Sequence, residues 1–245
     1  MSLNLSRDRT FVIAEAGTCH ANKDPEARFR RAMKYVHAAV RARACAIKFQ
    51  MFIDPCPETM FCWMDGDESR AARWKQSAMP FNDWLAVKQE AESCGIMFLA
   101  STFEYETVRW LSELEVQATK VASRAAGCLD EFADAPRPLL VSDGMLDDYA
   151  QVNKCDDYYL LQCEAKYPSK ARWNADSMNP SYGFSDHSGT PWRAIDAIAR
   201  RCKLLEVHYY LDPLHAGPDL KASLTIEDLE LICTARDHFE VFHNE

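Results

Sequence analysis

No two of the ten cysteines in this chain form a C-x-x-C pair, which argues against a zinc knuckle or ribbon. Cys19, Cys45, Cys56, Cys62, Cys94, Cys128, Cys155, Cys163, Cys202 and Cys233 are scattered singly. Free thiols in a reducing, cytoplasmic setting are the simpler expectation. The opening MSLNLSRDR is polar and charged and lacks the apolar core of a secretory signal. No apolar run approaches the roughly 20 residues needed to cross a bilayer. Positive charge is also short, the formal net charge being −9. Nucleic acids and anionic membranes are bound by basic surfaces that displace counterions, so neither is an expected partner. An anionic small substrate would need lysines held locally in a cleft, against the sign of the whole molecule. There is no internal repeat, low-complexity tract or Gly/Ser linker, hence no sign of a second domain.

What is present is ample core material: 48% of residues are hydrophobic, 27% charged and 11% aromatic, as in ordinary globular proteins. The chain alternates short β-rich runs with helical stretches. Candidate strands are Phe11–Glu15, Ala44–Gln50, Ile96–Ser101, Ala118–Ala122, Leu139–Ser142, Tyr158–Cys163, Tyr182–Ser185 and Leu204–Tyr209. Most are continuous apolar runs, as expected of parallel strands covered on both faces. Pro25–Arg43 carries Phe29, Ala32, Met33, Val36 and Val40 at helical spacing. Asn82–Cys94 and Glu106–Leu114 are similar, and Leu224–Arg236 opens with Thr225 as N-cap and Asp228 three residues on. Eight βα units predict one (β/α)8 TIM barrel over residues 1–245, with a doubly wound open sheet as the alternative. Trp63–Ser77 is polar and reads as a loop or lid. Gly144–Asp157 leaves room for a two-turn helix at most, and Lys166–Pro180 for no full helix, so the second half of the barrel is expected to have shortened helices.

Catalytic groups in such barrels sit at the C-terminal strand ends. Here those ends carry Glu15, Lys48, Gln50, Ser101, Thr102, Lys120, Ser123, Ser142, Ser185, Asp186, His187, Glu206 and His208. His187 and His208 end neighbouring strands about 4.8 Å apart and could converge on Mn²⁺, Zn²⁺, Fe²⁺ or Co²⁺. A hydrogen-bonded interior His208 and a loop His187 are the plainer alternative. Lys48 and Lys120 each sit in an otherwise small or apolar strand, where a lysine is costly to desolvate without an anion. Phosphate or carboxylate suits them, helped by hydroxyls of Thr102, Ser123, Ser142 and Ser185. A Schiff-base role is the competing chemistry.

Several strings, in order along most of the chain, resemble the sialic acid (N-acetylneuraminate) synthase family. They are Phe11-Val-Ile-Ala-Glu-Ala-Gly17 with His20, Ile47-Lys-Phe-Gln50, Phe98-Leu-Ala-Ser-Thr102, Lys120-Val-Ala-Ser123, Ser142-Asp-Gly-Met145, Cys163 with Tyr167-Pro168, Tyr182-Gly-Phe-Ser-Asp-His-Ser-Gly189, Glu206-Val-His208 and Gly217-Pro-Asp219. The resemblance implies a metal-bearing barrel that joins phosphoenolpyruvate to an N-acylmannosamine or related aldose and releases phosphate. It implies His187 and His208 as ligands of a divalent metal, usually Mn²⁺. Lys48, Thr102, Lys120, Ser123, Ser142, Tyr167 and Ser185 would cradle phosphoenolpyruvate, and Glu15, Gln50 and Asp219 would face the sugar or the reacting carbons.

The resemblance covers the barrel only. Family members generally carry a C-terminal antifreeze-like domain that sets an arginine over a partner's sugar site, whereas this sequence ends at Glu245. Gly17-Thr18-Cys19-His20 stands where the family usually has Gly-Asn-Asn-His. Asp143 replaces a threonine and is expected to bring negative charge near the phosphate. Ala165 replaces an asparagine, and Leu220 a histidine. An altered acceptor is therefore expected, and a homodimer or partner subunit is left open. Two competing readings are metal-assisted aldolase or lyase chemistry, and a partner-dependent or non-catalytic barrel that binds an anionic sugar ligand.

Overall fold

A computed structural model describes residues 3, 9–147, 149, 152, 156–174 and 182–243. Eight parallel strands close in sequence order: β1 Phe11–Gly17, β2 Ala46–Met51, β3 Met97–Thr102, β4 Thr119–Val121, β5 Leu139–Ser142, β6 Tyr158–Cys163, β7 Tyr182–Asp186 and β8 Leu204–His208. β8 pairs back on β1, so the open-sheet alternative is excluded. The six α-helices among the described residues are α1 Pro25–Arg41, α2 Glu68–Ser77, α3 Phe81–Ser93, α4 Tyr105–Glu113, α5 Pro191–Ala199 and α6 Ile226–His243.

The barrel interior is built by the period of two along each strand. Ile13, Ala46, Met97, Leu99, Ala118, Leu140, Leu161 and Leu204 form one buried apolar cluster. Two residues further along, the same inward positions read Glu15, Lys48, Ser101, Lys120, Ser142, Cys163 and Glu206. The chemistry therefore stands directly on a packed floor, as the layered cores of such barrels require. Gly183 on β7 belongs to this packing, since a Cβ there would lie 2.5 Å from the Leu204 carbonyl oxygen and 3.2 Å from Leu161 Cγ.

Local chemistry explains the helices. The Asp24 side chain accepts from Glu26 N at the start of α1, and a proline occupies the first turn. Thr225 and Asp228 exchange bonds before α6: Asp228 N donates to Thr225 Oγ1 (3.2 Å) and Thr225 N to Asp228 Oδ2 (3.3 Å). Composition predicts a loop or lid at Trp63–Ser77, but most of that segment is α2. Its Glu, Ala, Arg, Lys and Gln residues are strong helix formers, and it buries only Trp74 and Ser77. Trp74 stacks on Phe52 at 5.5 Å and holds α2 against the barrel mouth. The sequence reading also leaves out α5, which starts at a proline and buries Pro191, Ala194, Ala197 and Ile198.

Among the described residues the connections after β4, β5 and β6 carry no α-helix, whereas α5 and α6, after β7 and β8, are full helices. β4 and β5 are joined by two 3-10 turns, Ser123–Ala125 and Leu129–Phe132. The described parts of Gly144–Asp157 and Lys166–Pro180 contain no α-helix, and the remainder of both lies outside the described residues. The nine described cysteines are free thiols. Among the described residues no helix is long and apolar enough to cross a membrane.

Candidate active site

The C-terminal strand ends open into a cavity of about 960 Å³, at the upper end of the range of small-molecule sites. Glu15, Lys48, Gln50, Lys120, Ser123, Ser142, Tyr167, Ser185, His187, His208 and Asp219 all line it. Thr102 does not. Ser101 lines the cavity instead, because one step along β3 turns a side chain to the other face of the sheet. Thr102 is buried behind β3, and its hydroxyl has no hydrogen-bond partner in the structure.

At the floor, two lysines and two glutamates are interleaved. Lys48 Nζ lies 2.8 Å from Glu15 Oε2 and 3.6 Å from Glu206 Oε2, and donates to Ser101 Oγ at 3.0 Å. Lys120 Nζ lies 3.8 Å from Glu206 Oε1 and donates to Ser142 Oγ at 2.8 Å. Ser185 Oγ donates to Glu206 Oε1 at 3.2 Å. All four charged groups are at most 3% exposed, so each depends on its neighbours for its charge state. Burial pushes the Glu15 carboxyl up to about 7, with Lys48 opposing. Burial also acts to raise Glu206, but Lys120 and Lys48 outweigh it and hold that carboxyl at about 2. The two lysines thus favour the ionised form of Glu206, while burial favours the protonated form of Glu15.

Glu15, Asp219 and Gln50 converge above this floor. Gly17 has φ +52, and a Cβ there would lie 3.3 Å from Glu15 Oε1, 3.5 Å from Asp219 Oδ2 and 3.8 Å from Gln50 Nε2. Only glycine adopts that backbone freely, and its missing side chain leaves the three polar groups facing one another. Burial raises the Asp219 pKa, with Arg73 opposing.

Next to Glu15 across the β1–β8 pairing, the imidazoles of His208 and His187 stand with centroids 5.1 Å apart. Tyr167 stacks on His187 at 4.5 Å. His187 Nδ1 lies 2.9 Å from the Glu164 carbonyl oxygen. That acceptor requires the proton on Nδ1 and leaves the Nε2 lone pair facing the cavity side of the ring, 3.4 Å from Ser185 Oγ. Burial lowers the pKa of both rings, and for His208 the proximity of His187 adds to it. Two neutral imidazoles, one oriented by a backbone carbonyl, fit the donor chemistry of a divalent transition metal whose other positions are filled by water and substrate oxygens. Among the described residues the mouth supplies no third donor clustered with the two histidines. Among the described residues the one three-donor group is His37, Glu90 and Cys94, on the outer face of α1 and α3.

Asp143 does not act as expected. Its Oδ1 accepts from Cys163 N at 2.8 Å and its Oδ2 from the Tyr149 hydroxyl at 3.0 Å. The carboxylate is thus bound to the β6 backbone, and it is absent from the cavity lining. His20 is also outside the cavity: its Nε2 donates to the Ser77 carbonyl oxygen at 2.9 Å and its ring packs edge-on to Phe49 and Trp84. Sequence reasoning missed the contribution of α2. Arg70, Arg73 and Trp74 line the rim, and the only advance signal was the spacing of two arginines three apart in a helix-forming stretch. It also left Glu206 without a role, although a carboxylate two residues before His208 shares its inward face.

Comparison with known proteins agrees with the barrel fold. N,N'-diacetyllegionaminic acid synthase of Campylobacter jejuni is 28% identical over 92% of this chain and 75% of its own length. Pseudaminic acid synthase of the same organism is 26% identical over 95% of this chain and 74% of its own. The crystal structure of the N-acetylneuraminic acid (sialic acid) synthetase from Leptospira borgpetersenii shares the fold, with a TM-score of 0.77 at 23% identity, covering 98% of this chain and 87% of that one. The NeuB family model matches residues 35–243, which contain every inward-facing polar or charged group described above except Glu15. With a closed barrel, an ordered ring of polar strand ends and that match in hand, the chain belongs to the NeuB family.

Proposed function

We propose that the barrel mouth condenses phosphoenolpyruvate with the open-chain form of an N-acylmannosamine-like or related aldose, giving a nonulosonic-type keto-acid and inorganic phosphate. The observation that carries this reading is the buried Lys48–Lys120 pair, ringed by Ser101, Ser142 and Ser185, with a proton-exchanging carboxyl beside it. Two lysines at that depth suit a substrate bearing both phosphate and carboxylate. The relatives' names support the reaction class, and their differing products leave the acceptor to be determined.

The chain's own residues divide the work. Lys48 and Lys120 hold the two anionic groups, and the serine hydroxyls fix their orientation, so that the enol carbon faces the aldehyde carbon. Gln50 and Asp219 position the sugar. As the carbon–carbon bond forms, positive charge develops at the oxygen-bearing carbon of the enol, and water adds there. Glu15 takes one proton from that water and passes it to the aldehyde oxygen, which the new carbon–carbon bond has left as an alkoxide. The tetrahedral adduct then collapses to the ketone: its carbon–oxygen bond to phosphate breaks, and its hydroxyl proton leaves with the phosphate. His187 and His208 would hold a divalent metal, Mn²⁺ being the first to test, which when bound supplies Lewis-acid polarisation of the aldehyde oxygen.

The test is phosphate release from phosphoenolpyruvate with Mn²⁺ and N-acetylmannosamine, with His208→Ala as control. Release that depends on metal and is lost in the variant is expected. Absence of release across a panel of aldoses would overturn the proposal.

A further inference from the structure

The three-donor group His37, Glu90 and Cys94 lies far from the barrel mouth. In a barrel of this kind each helix runs back against its strand, so helix C-terminal ends gather at the end opposite the cavity. His37 stands near the C-terminal end of α1, Cys94 caps the C-terminus of α3, and Glu90 is one turn before it. None of the three lines the cavity.

Their donor atoms all lie within 4.8 Å of one another. Glu90 Oε1 is the hub: His37 Nε2 stands 2.6 Å from it and Cys94 Sγ 3.7 Å. Glu90 and Cys94 are four apart on α3, so helix geometry aims both at the same spot. Helix packing brings His37 there, since its neighbours Val36 and Ala38 are buried in the same core cluster as Val87 and Ala91 of α3. The fold therefore fixes two donors on one helix and a third on the next.

A surface histidine and carboxylate alone would be an ordinary exposed pair of little weight. The thiol changes that reading. Cys94 is the one exposed cysteine among the nine described, and thiol, imidazole and carboxylate together are a donor set for Zn²⁺. The His37 imidazole holds the Glu90 carboxyl below the usual carboxylate range, so Glu90 is ionised at neutral pH. The last turn of α3 carries no basic residue, although a helix C-terminus favours a cation. Tetrahedral Zn²⁺ with its usual bond lengths spaces donor atoms about 3.3–3.6 Å apart. Glu90 and Cys94 already stand near that spacing, and the His37–Glu90 contact needs to open by only roughly 0.7 Å.

We infer that His37, Glu90 and Cys94 form a zinc site that clasps α1 to α3, separate from the two histidines at the barrel mouth, with water as the fourth ligand. On binding, Cys94 loses its thiol proton to solvent, and neutral His37 keeps its proton on Nδ1 and presents the Nε2 lone pair. The thiolate makes this site prefer Zn²⁺ over the harder Mn²⁺.

The experiment titrates Zn²⁺ into the intact protein, with excess Mn²⁺ present, against a chelating indicator, and follows Tm alongside. Cys94→Ser, at an exposed position, should bind one equivalent fewer than the unaltered protein, lose the accompanying rise in Tm and leave the metal-free Tm in place. Affinity at this site should fall by more than the roughly 10- to 100-fold that loss of an outer-shell partner costs. His37→Ala should repeat the loss of zinc, whereas His208→Ala should keep the Cys94-dependent equivalent. With Cd²⁺ as the probe, an ultraviolet thiolate-to-metal charge-transfer band should appear in the unaltered protein and in His208→Ala and be absent from Cys94→Ser. Equal zinc stoichiometry in Cys94→Ser, or a thiolate band that survives there, would overturn the inference. Zinc that excess Mn²⁺ displaces would mean an adventitious ion only, and would overturn it too.

Discussion

Replacing Glu206 with glutamine removes the shared counter-charge of Lys48 and Lys120 while keeping its shape. Glu206 lies 3.6 Å from one ammonium and 3.8 Å from the other. At an effective dielectric of about 20, each contact carries roughly 4–5 kcal/mol of attraction. Part of this is offset because neutral glutamine is cheaper to bury than a carboxylate, and unpairing a buried ion pair has a net cost of about 3–5 kcal/mol. For a chain of this size each kcal/mol corresponds to about 2–4 °C, so Tm should fall by roughly 6–20 °C. The variant also carries an excess cation at the floor, so inorganic phosphate should bind it more tightly and raise its Tm more than that of the unaltered protein. Thermal unfolding across a phosphate series reads both effects. A Tm shift below about 2 °C, or equal stabilisation of both proteins by phosphate, would refute the charge-balanced floor.

Other consequences are equally direct. Lys120→Met should lower kcat/KM for phosphoenolpyruvate by roughly 10- to 150-fold, measured by steady-state phosphate release, since it deletes one charged hydrogen-bond donor. Gly183→Ala forces a Cβ against the Leu204 carbonyl and should cost about 1–3 kcal/mol of overpacking, read by chemical denaturation. His20 is buried neutral, burial lowering its pKa to about 3. Because that folded-state value lies below the ordinary histidine value of 6.5, its contribution to stability is present above pH 6.5 and is lost as pH falls toward 3, with a slope of at most about 1.4 kcal/mol per pH unit. His20→Gln keeps a donor for the Ser77 carbonyl and should flatten the stability profile in that window; an unchanged profile would show that His20 is not the group taking up the proton.

Much of the barrel could be read from the residues, because buried parallel strands are short apolar runs with sharp polar ends. β5 and β6 fall on their expected bounds. The inward-facing site followed from the same rule, and the one displaced residue shows its limit. Ser101 and Thr102 are both hydroxyls at a strand end, and only the phase of alternation, set by Met97 and Leu99 facing the interior cluster, decides between them. α2 escaped detection because a helix that lies on a barrel mouth needs almost no apolar stripe. Asp143 was misjudged because sequence gives its charge but not its partner, here the backbone N–H of Cys163.

The pairing of β1 with β8 sets Glu15 beside His208, while β2 sets Lys48 on the other flank of Glu15. The groups that must act together therefore come from opposite ends of the polypeptide, and no half of the molecule holds a working subset of them. Non-local pairings of this kind carry the largest loop-closure entropy and form slowly. Catalytic competence should accordingly appear in one step with ring closure, with no partially folded species able to bind and release the substrates halfway.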